Sequence, residues 1–328
     1  MPVRSGRLDQ ARVSVGGRVT VLTGGVGGAK LVLGLTRVMP PGQITAIINT
    51  GDDFRHLGLW VSPDIDTLLY TLSGRSNEER GWGRAGETWN FIDALRSLGG
   101  EDWFALGDGD LALHVERTRR LAQGDSLSAI SAAFAQAWGL TTHFLPMSDD
   151  GIATFIDTAG GELAFQRYFV EHRCQPAATG IRFVGAAAAK PAPGVLEAIT
   201  GADTDAIIIA PSNPFLSIDP ILAVPAIADA LRRTSAPCIA VSPIVGGQAV
   251  KGPTVKLMTE LGIAITPVAI ASHYEGIIDA LLIDQRDLDV GPTVALPHAY
   301  ADTLMKTLAD RERVARAALS LAREISQR

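Results

Sequence analysis

The sequence predicts an α/β fold, a Rossmann-like three-layer parallel sheet with an inserted small helical subdomain. Four runs rich in Val and Ile predict the sheet, at residues 19–22, 44–48, 205–210 and 237–241. Their apolar residues are consecutive rather than alternating, which is typical of strands covered on both faces. Three of the runs lead through a glycine- or proline-rich break into an apolar stretch of helical length, which is the strand–turn–helix order of a parallel sheet.

The helices and the remaining strands follow from the same patterns. Helices are predicted for 29–35 after the first strand, near 221–231 after the third and around 256–258 after the fourth. A further helix is predicted within 302–325, where Leu, Ala and Ile recur at helical spacing. Short strand-like pieces complete the prediction, at 153–156, 165–170 and 263–265.

Composition along the chain divides it into three parts. Residues 1–17 are predicted to be a polar N-terminal tail, and residues 18–76 plus 141–328 are predicted to form the Rossmann-like core. Residues 77–140 are rich in charged residues and helix formers and contain few β-branched runs. This stretch is therefore predicted to be a helical insertion in the core.

Composition and charge exclude several classes of protein. Of the 328 residues, 47% are hydrophobic and 20% are charged, which excludes intrinsic disorder. A net charge of −6 argues against a nucleic-acid partner. We expect no membrane association, because no apolar run approaches the roughly 20 residues of a membrane span and no signal peptide is visible. Two cysteines without a CxxC pair predict a cytoplasmic protein. A homodimer is expected only because homodimers are the commonest oligomers of soluble proteins.

The segment TGGVGGAK follows the first predicted strand and opens the first predicted helix. Glycines at this place let the backbone approach a phosphate, and the helix N-terminus adds N–H donors and partial positive charge. We therefore expect Gly24, Gly25, Gly27 and Gly28 to bind a phosphate or pyrophosphate. A tight turn that needs positive φ is the simpler alternative. Lys30 is equally consistent with a phosphate contact and with a solvated helix position.

Four carboxylates lie within fifteen positions in the segments NTGDD and SPDIDT, which follow the second predicted strand. Open α/β sheets place their sites at the carboxyl ends of strands. Clustered carboxylates repel one another unless a cation or proton intervenes, and Mg²⁺ bridging carboxylates and substrate phosphates is the economical explanation. We expect Asp53 and Asp66 to be the magnesium-linked pair. Asp52 is expected to close the turn, and Asp64, after Pro63 at an apparent helix start, to cap that helix.

Other segments are further candidates for binding. Tryptophans in the glycine-broken segment RGWGRAGETW can stack on a planar ligand, although packing of the insertion is the commoner role of a single Trp. PSNP and SPIVGG come directly after buried strands, so we expect both to face one crevice. LPMSDDG holds Asp149 and Asp150, the next candidates for a metal. The chain has no HExxH metal motif and no GxSxG nucleophile elbow.

Nine segments, taken in order, resemble the CofD/FbiA family, the 2-phospho-L-lactate transferases of coenzyme F420 biosynthesis: TGGVGGAKL, NTGDD, SPDIDTLLYTLSG, RGWGRAGETW, LGDGDLALH, LPMSDDG, PSNP, SPIVGG and KGP. The resemblance extends from Val19 to about Asp287. It implies a Rossmann-like core with a helical insertion. It also implies transfer of a phosphorylated three-carbon acid from a guanosine diphosphate conjugate to Fo, a deazaflavin with a ribityl chain, with release of GMP and a requirement for Mg²⁺.

The resemblance also implies roles for particular residues. Asp53 and Asp66 would be catalytic and hold the metal, and Fo would contact Asp66, Trp82, Thr88 and Trp89. The chain departs from the family at Gly109, where LGDGD stands in place of the usual LGDRD; this affects the anion contacts near donor or acceptor. The nucleotide and its phosphates would contact Gly24, Gly25, Gly27, Gly28, Lys30, Ser212, Asn213, Ser242, Gly246 and Lys251.

Two other functions remain open at this point. A related class of sugar-nucleotide-binding regulatory proteins shares the glycine loop and the α/β core without transferase activity, but it would lack the GWG…ETW and SPDIDT segments. A nicotinamide dehydrogenase is disfavoured, because GxGxxG is absent and the acidic residues after the second strand form a pair. The sequence leaves open whether the transferred acid derives from lactate, enolpyruvate or glycerate.

Overall fold

The computed structural model describes residues 17–249 and 252–328. In these residues groups of strands are followed by groups of helices along the chain. In chain order they are β1 (Arg18–Thr23), α1 (Gly25–Val38), β2 (Ile44–Ile48), β3 (Phe54–His56), β4 (Leu59–Val61), α2 (Pro63–Leu72), α3 (Asn90–Ser97), α4 (Asp108–Ala122), α5 (Leu127–Ala137), β5 (His143–Pro146), β6 (Ala153–Thr158), β7 (Gly161–Ala164), β8 (Ala178–Val184), α6 (Val195–Thr200), β9 (Thr204–Ile209), α7 (Asp219–Leu222), α8 (Pro225–Arg233), β10 (Cys238–Val241), β11 (Ile244–Val245), β12 (Gln248–Ala249), α9 (Thr254–Glu260), α10 (Pro267–His273), β13 (Ala280–Asp284), β14 (His298–Ala301) and α11 (Leu308–Ser326).

A seven-stranded sheet forms the centre of the molecule, with the order β14-β13-β10-β9-β1-β2-β5. Every neighbouring pair is parallel. β1 lies between β9 and β2 and is parallel to both, so the carboxyl ends of these three strands lie side by side at the same end of the sheet. The predicted α/β fold with a parallel sheet is therefore confirmed.

Helices cover both faces of this sheet, which explains the consecutive apolar residues of its strands. Ile208 belongs to the apolar cluster on the face of α1 and α11, whereas Ile207 and Ile209 belong to the cluster on the face of α8 and α10. Successive side chains of a strand point to opposite faces, so both need apolar residues. The α1–α11 contact is close, since a Cβ atom on Gly34 would lie 2.2 Å from the carbonyl oxygen of Arg311.

Several local predictions were wrong. Residues 165–170 are helical rather than a strand, and 263–265 form no strand. The helix predicted near 221–231 is two helices, α7 and α8, because Pro225 begins the second one. The C-terminal helix begins at Leu308, six residues later than the predicted range, after a capping box at Thr307. The strands β13 and β14 were not predicted.

Residues 77–140 contain α3, α4 and α5 and no strand of the seven-stranded sheet. A separate antiparallel sheet, of order β7-β6-β8, follows β5. The division into core and insertion stays a prediction, and nearly all of the predicted tail, residues 1–17, lies outside the described residues. In the described part of the chain, no single helix has the length and apolarity of a membrane span. The two helical segments Pro214–Leu222 and Pro225–Arg233 have that length and apolarity only when they are taken together, and the chain bends by 86° between them.

Candidate active site

The glycine segment, the NTGDD turn and the PSNP turn meet at the carboxyl ends of β1, β2 and β9. The Ser212 hydroxyl donates to the carbonyl of Gly24 over 2.7 Å and accepts from its N–H over 3.3 Å. The Asn49 amide donates to the carbonyl of Leu216 over 3.2 Å. These contacts hold the glycine segment, the NTGDD turn and the PSNP turn together, whereas the predicted crevice shared by PSNP and SPIVGG stays a prediction.

The glycines serve the packing of the protein as well as any ligand. α1 begins at Gly25, which has φ +62°, and its first turn has no acidic residue and no side-chain cap. A Cβ atom on Gly27 would lie 2.8 Å from the carbonyl oxygen of Pro211, and one on Gly28 would lie 2.1 Å from the Thr23 hydroxyl. Beside Gly25 there is room, since the nearest atom is 3.8 Å away. The first turn of α1 therefore has no side-chain cap of its own, and the N–H of Gly25 donates to Asp64, a carboxylate from another segment.

Asp64 holds the glycine segment in place. Its Oδ1 accepts from the N–H of Gly25 over 2.7 Å, and its Oδ2 accepts from the Asn49 amide over 2.9 Å. Burial raises the pKa of Asp64 to about 6, and these two hydrogen bonds oppose the shift. α2 begins at Pro63 as predicted, but the Asp64 carboxylate bonds to another segment rather than capping its own helix.

Asp52 and Asp53 are both buried, and each has one carboxylate oxygen, Oδ1, without a hydrogen-bond partner. The Oδ2 of Asp53 accepts from the hydroxyl of Ser62 over 2.7 Å and from the indole N–H of Trp60 over 3.1 Å. Burial raises the pKa of Asp53 to about 8. Burial, and next the charge of Asp64, also raise the pKa of Asp52. Two buried oxygens without a partner fit a cation.

Asp66 is held by a buried arginine. The guanidinium of Arg117 donates to both carboxylate oxygens, to Oδ2 over 3.2 Å. His114 Nδ1 lies 3.7 Å from Asp66 Oδ2, and His114 Nε2 lies 3.3 Å from Asp110 Oδ2. Burial raises the pKa of Asp66, and the charge of Arg117 opposes this. The charges of Arg117 and Asp66 also act on Asp53, so the two predicted ligands lie in one electrostatic network.

Two groups of side chains are therefore candidates to hold a divalent ion. One is Asp52 with Asp53, through their unpartnered oxygens. The other is Asp66 with Asp110 and His114, whose ligand atoms lie within 4.8 Å of one another. In the second group Arg117 already neutralises Asp66, so the first group fits Mg²⁺ better. The predicted metal role of Asp66 stays a prediction.

Two cavities of about 190 Å³ each flank Asp53. Aromatic side chains line the first one, among them Trp103 and Phe165. Two more of its lining residues, His56 and Thr154, are buried and have a polar side-chain atom without a partner. The second cavity is lined by Trp60, Leu121, Leu127, Asp149 and Asp150, among others. Asp53 thus contributes to the walls of both cavities, although its side chain is buried.

The predicted Fo contacts are linked to Asp66 through α4. At the start of this helix, Asp108 accepts from the Thr88 hydroxyl over 2.6 Å; further along, Asp110, His114 and Arg117 share one face. Trp82 is 56% exposed, and Arg80 lies over its ring and over that of Trp89. Neither tryptophan lines either cavity.

At Gly109, where the chain departs from the family pattern, another arginine occupies the space of a side chain. A Cβ atom at this position would lie 1.5 Å from Nη1 of Arg84. The N–H of Gly109 donates to Glu87 over 2.6 Å, and Arg84 forms an ion pair with Glu87 over 3.1 Å. The guanidinium of Arg84 therefore fills the place next to the backbone of Gly109.

The other predicted nucleotide contacts are engaged within the protein. Asn213 accepts from the backbone of the following turn, and Ser242 accepts from Ile244. The N–H of Gly246 donates to Asp287 over 2.8 Å. Lys30 donates to the carbonyl of Met305 over 3.0 Å. Lys251 lies outside the described residues.

Arg117, Asp110 and Asn49 were missed by the sequence reasoning. The signal for the first two was present, since Asp110, His114 and Arg117 follow one another at spacings of four and three in a predicted helical region. Asn49 precedes the predicted turn directly, where an Asn commonly bonds to the backbone two residues on. Its Oδ1 accepts from the N–H of Gly51 over 2.8 Å.

Comparisons with known proteins identify the family of this chain. The family described as 2-phospho-L-lactate transferase CofD matches residues 19–322. A phosphoenolpyruvate transferase of Streptomyces coelicolor is 41% identical over 94% of this chain and 99% of its own length. One of Streptomyces griseus is 44% identical, with the same coverage.

The fold is similar to that of a solved Bacillus halodurans protein of the UPF0052 family, with a TM-score of 0.60 and 16% identity over 94% of this chain and all of that one. At this identity the likeness concerns the fold alone. The match to the transferases, by contrast, extends over the glycine segment and all the clustered carboxylates. The chain therefore belongs to the CofD family of transferases.

Proposed function

We propose that this protein transfers a phosphorylated three-carbon acid from a guanosine diphosphate conjugate to the ribityl hydroxyl of Fo, releasing GMP, in coenzyme F420 biosynthesis. The observation that carries the proposal is the position of Asp53, a buried carboxylate with an unpartnered oxygen between two cavities. Membership of a transferase family supports it. A cytoplasmic location fits a reaction between soluble substrates, and a homodimer stays the base-rate expectation.

In the reaction, the terminal ribityl oxygen attacks the phosphorus that carries the acid. The bond between this phosphorus and the oxygen bridging to GMP breaks, and GMP leaves with the bonding electron pair. The hydroxyl proton passes to one of the clustered carboxylates, which must be ionised to accept it. Burial raises the pKa values of Asp52 and Asp53, and a bound Mg²⁺ would oppose that shift, because a nearby positive charge favours the ionised carboxylate. No covalent intermediate with the protein is needed.

The donor nucleotide is proposed to place its diphosphate at the N-terminus of α1. The first turn of α1, which has no acidic residue, and the space beside Gly25 support this position. Asp52 and Asp53 are proposed to hold Mg²⁺, with Asp66 as the ligand implied by the resemblance. When bound, the ion neutralises charge on the phosphates.

Enolpyruvate is the proposed acid. The support is that similar proteins of several Streptomyces species, at 41–44% identity, are phosphoenolpyruvate transferases. Donors carrying lactate and glycerate remain to be compared with it, because the three acids differ by only a few atoms.

The test is GMP release by the purified protein with Fo, Mg²⁺ and the three guanosine diphosphate donors in parallel. We expect release with at least one donor, fastest with the enolpyruvyl conjugate, and loss of release in Asp53→Asn. A folded protein that binds a sugar nucleotide but releases no GMP from any donor would contradict the proposal and favour the regulatory alternative. Release that is fastest with another acid would correct the donor alone.

A further inference from the structure

Arg55 and Asp53 are the two side chains that line both cavities. Asp53 directly precedes β3 and Arg55 is its middle residue, and side chains two positions apart along extended backbone point to one side. In a transfer reaction, the donor and the acceptor meet at the group that is transferred. With one substrate in each cavity, a side chain that lines both cavities lies next to that group. Of the shared pair, Asp53 is buried and Arg55 is exposed.

The guanidinium of Arg55 has most of its hydrogen-bonding capacity free. Its Nη1 donates to the carbonyl of Gly58 over 3.3 Å, and its Cζ lies 5.5 Å from the centre of the Trp60 ring. No ion pair involves Arg55 among the described residues. A guanidinium carries five N–H donors, of which one is used here.

The other arginine at the cavities is already neutralised. Arg167 lines the first cavity and forms ion pairs with Glu101 over 3.1 Å and with Glu171 over 3.0 Å. Burial lowers the pKa of His56, so its ring is neutral near pH 7. Arg55 is therefore the one cation at the described walls of these cavities that has no acidic partner.

This inference rests on the proposed function. The donor has two kinds of anion, its phosphates and the carboxylate of the acid. The phosphates have the α1 N-terminus and the Asp52–Asp53 metal group to neutralise them, and the carboxylate has neither. We propose that Arg55 binds the carboxylate of the transferred acid and so selects donors that carry one. A planar guanidinium matches a planar carboxylate through two parallel hydrogen bonds.

The experiment compares two donors by calorimetry without Fo: the enolpyruvyl conjugate of guanosine diphosphate and its carboxylate methyl ester. In Arg55→Gln we expect affinity for the acid to fall roughly 10- to 100-fold, the range for a hydrogen bond to a charged group. Affinity for the ester should change less than about twofold. Arg55→Lys keeps the positive charge but loses the two parallel N–H donors of the guanidinium. Its affinity for the acid should lie between the affinities of Arg55→Gln and wild type.

Arg233→Gln is the matched control, because Arg233 is exposed at the end of α8 and its loss changes net charge equally. It should leave both affinities unchanged. Equal effects of Arg55→Gln on acid and ester, or no effect on either, would overturn the inference while GMP release by the wild type still stands. A wild type that binds neither donor would overturn both the proposed function and this inference.

Discussion

The guanidinium of Arg117 donates to both carboxylate oxygens of Asp66, and both side chains are buried. Such a pair is costly to break from either side, because each change leaves one charge buried without its partner. Asp66 is thus part of the internal structure as well as a predicted ligand. Its substitution therefore has consequences for stability that the sequence did not indicate.

We expect Arg117→Met to lower the free energy of unfolding by about 3–5 kcal/mol, the range for breaking a buried ion pair. Asp66→Asn should also destabilise the protein, since it leaves the Arg117 charge uncompensated. Urea unfolding at pH 7 measures both changes, with exposed Arg233→Gln as the control. A loss below about 1 kcal/mol in Arg117→Met would show that water or another group satisfies Asp66.

Asp53 makes the metal-free protein less stable as the pH rises. Its pKa is about 8 in the folded protein and about 4 in an unfolded chain, so between these values the folded state binds a proton that the unfolded state lacks. Its contribution to stability is present below pH 4 and is lost as the pH rises towards 8. We expect Asp53→Asn to reduce this decline and to be more stable than wild type at pH 8.

Urea unfolding in EDTA at pH 5, 6, 7 and 8 checks this prediction. Adding Mg²⁺ at pH 8 should stabilise the wild type and have less effect on Asp53→Asn, because a ligand that binds only the folded state adds to its stability. Parallel pH profiles of the two proteins would contradict a raised pKa at Asp53.

Asp64→Asn should weaken the attachment of the glycine segment. Both oxygens of Asp64 accept from N–H donors, so an amide would turn its own donor towards Gly25 or Asn49. We expect a loss of about 1–3 kcal/mol in unfolding free energy and weaker binding of GDP. Calorimetry with GDP, together with urea unfolding, tests this; unchanged values for both would mean that an Asn serves equally well.

Gly25→Ala should separate ligand binding from stability. The positive φ costs about 1–2 kcal/mol for a residue with a Cβ atom, but the new methyl group clashes with nothing, since its nearest neighbour is the Ser217 hydroxyl at 3.8 Å. We expect GDP affinity to fall at least tenfold, because that space is where the phosphates are proposed to lie. Gly262→Ala is the control, since Gly262 has φ +70° with nothing within 4 Å and lies outside the site.

Gly27→Ala should behave differently from Gly25→Ala. Its Cβ atom would lie 2.8 Å from the carbonyl oxygen of Pro211, so the PSNP turn must move. We expect both stability, by about 1–3 kcal/mol, and GDP affinity to fall. Thermal unfolding and calorimetry on the same samples measure the two effects; an unchanged melting temperature would contradict the close packing.

The parallel sheet was predictable because its signal is local. Consecutive Val and Ile residues, ended by glycine or proline, identify a doubly covered strand wherever it pairs. The runs at β1, β2, β9 and β10 were found in this way. The strand predictions at 165–170 and 263–265 failed because short apolar pieces fit a helix or a loop as well as a strand. There the contacts of neighbouring elements decide.

By itself, the sequence determined the fold class, the order of the glycine and aspartate segments and the family they resemble. Only the tertiary structure decided what each carboxylate contacts. Asp64 bonds to a glycine 39 positions earlier, and Asp66 pairs with an arginine 51 positions later. Spacing along the chain does not predict such partners, because they depend on how α1, α2 and α4 pack at one end of the sheet. That packing buries the charges, leaves an oxygen of Asp53 unpartnered and places Arg55 beside it.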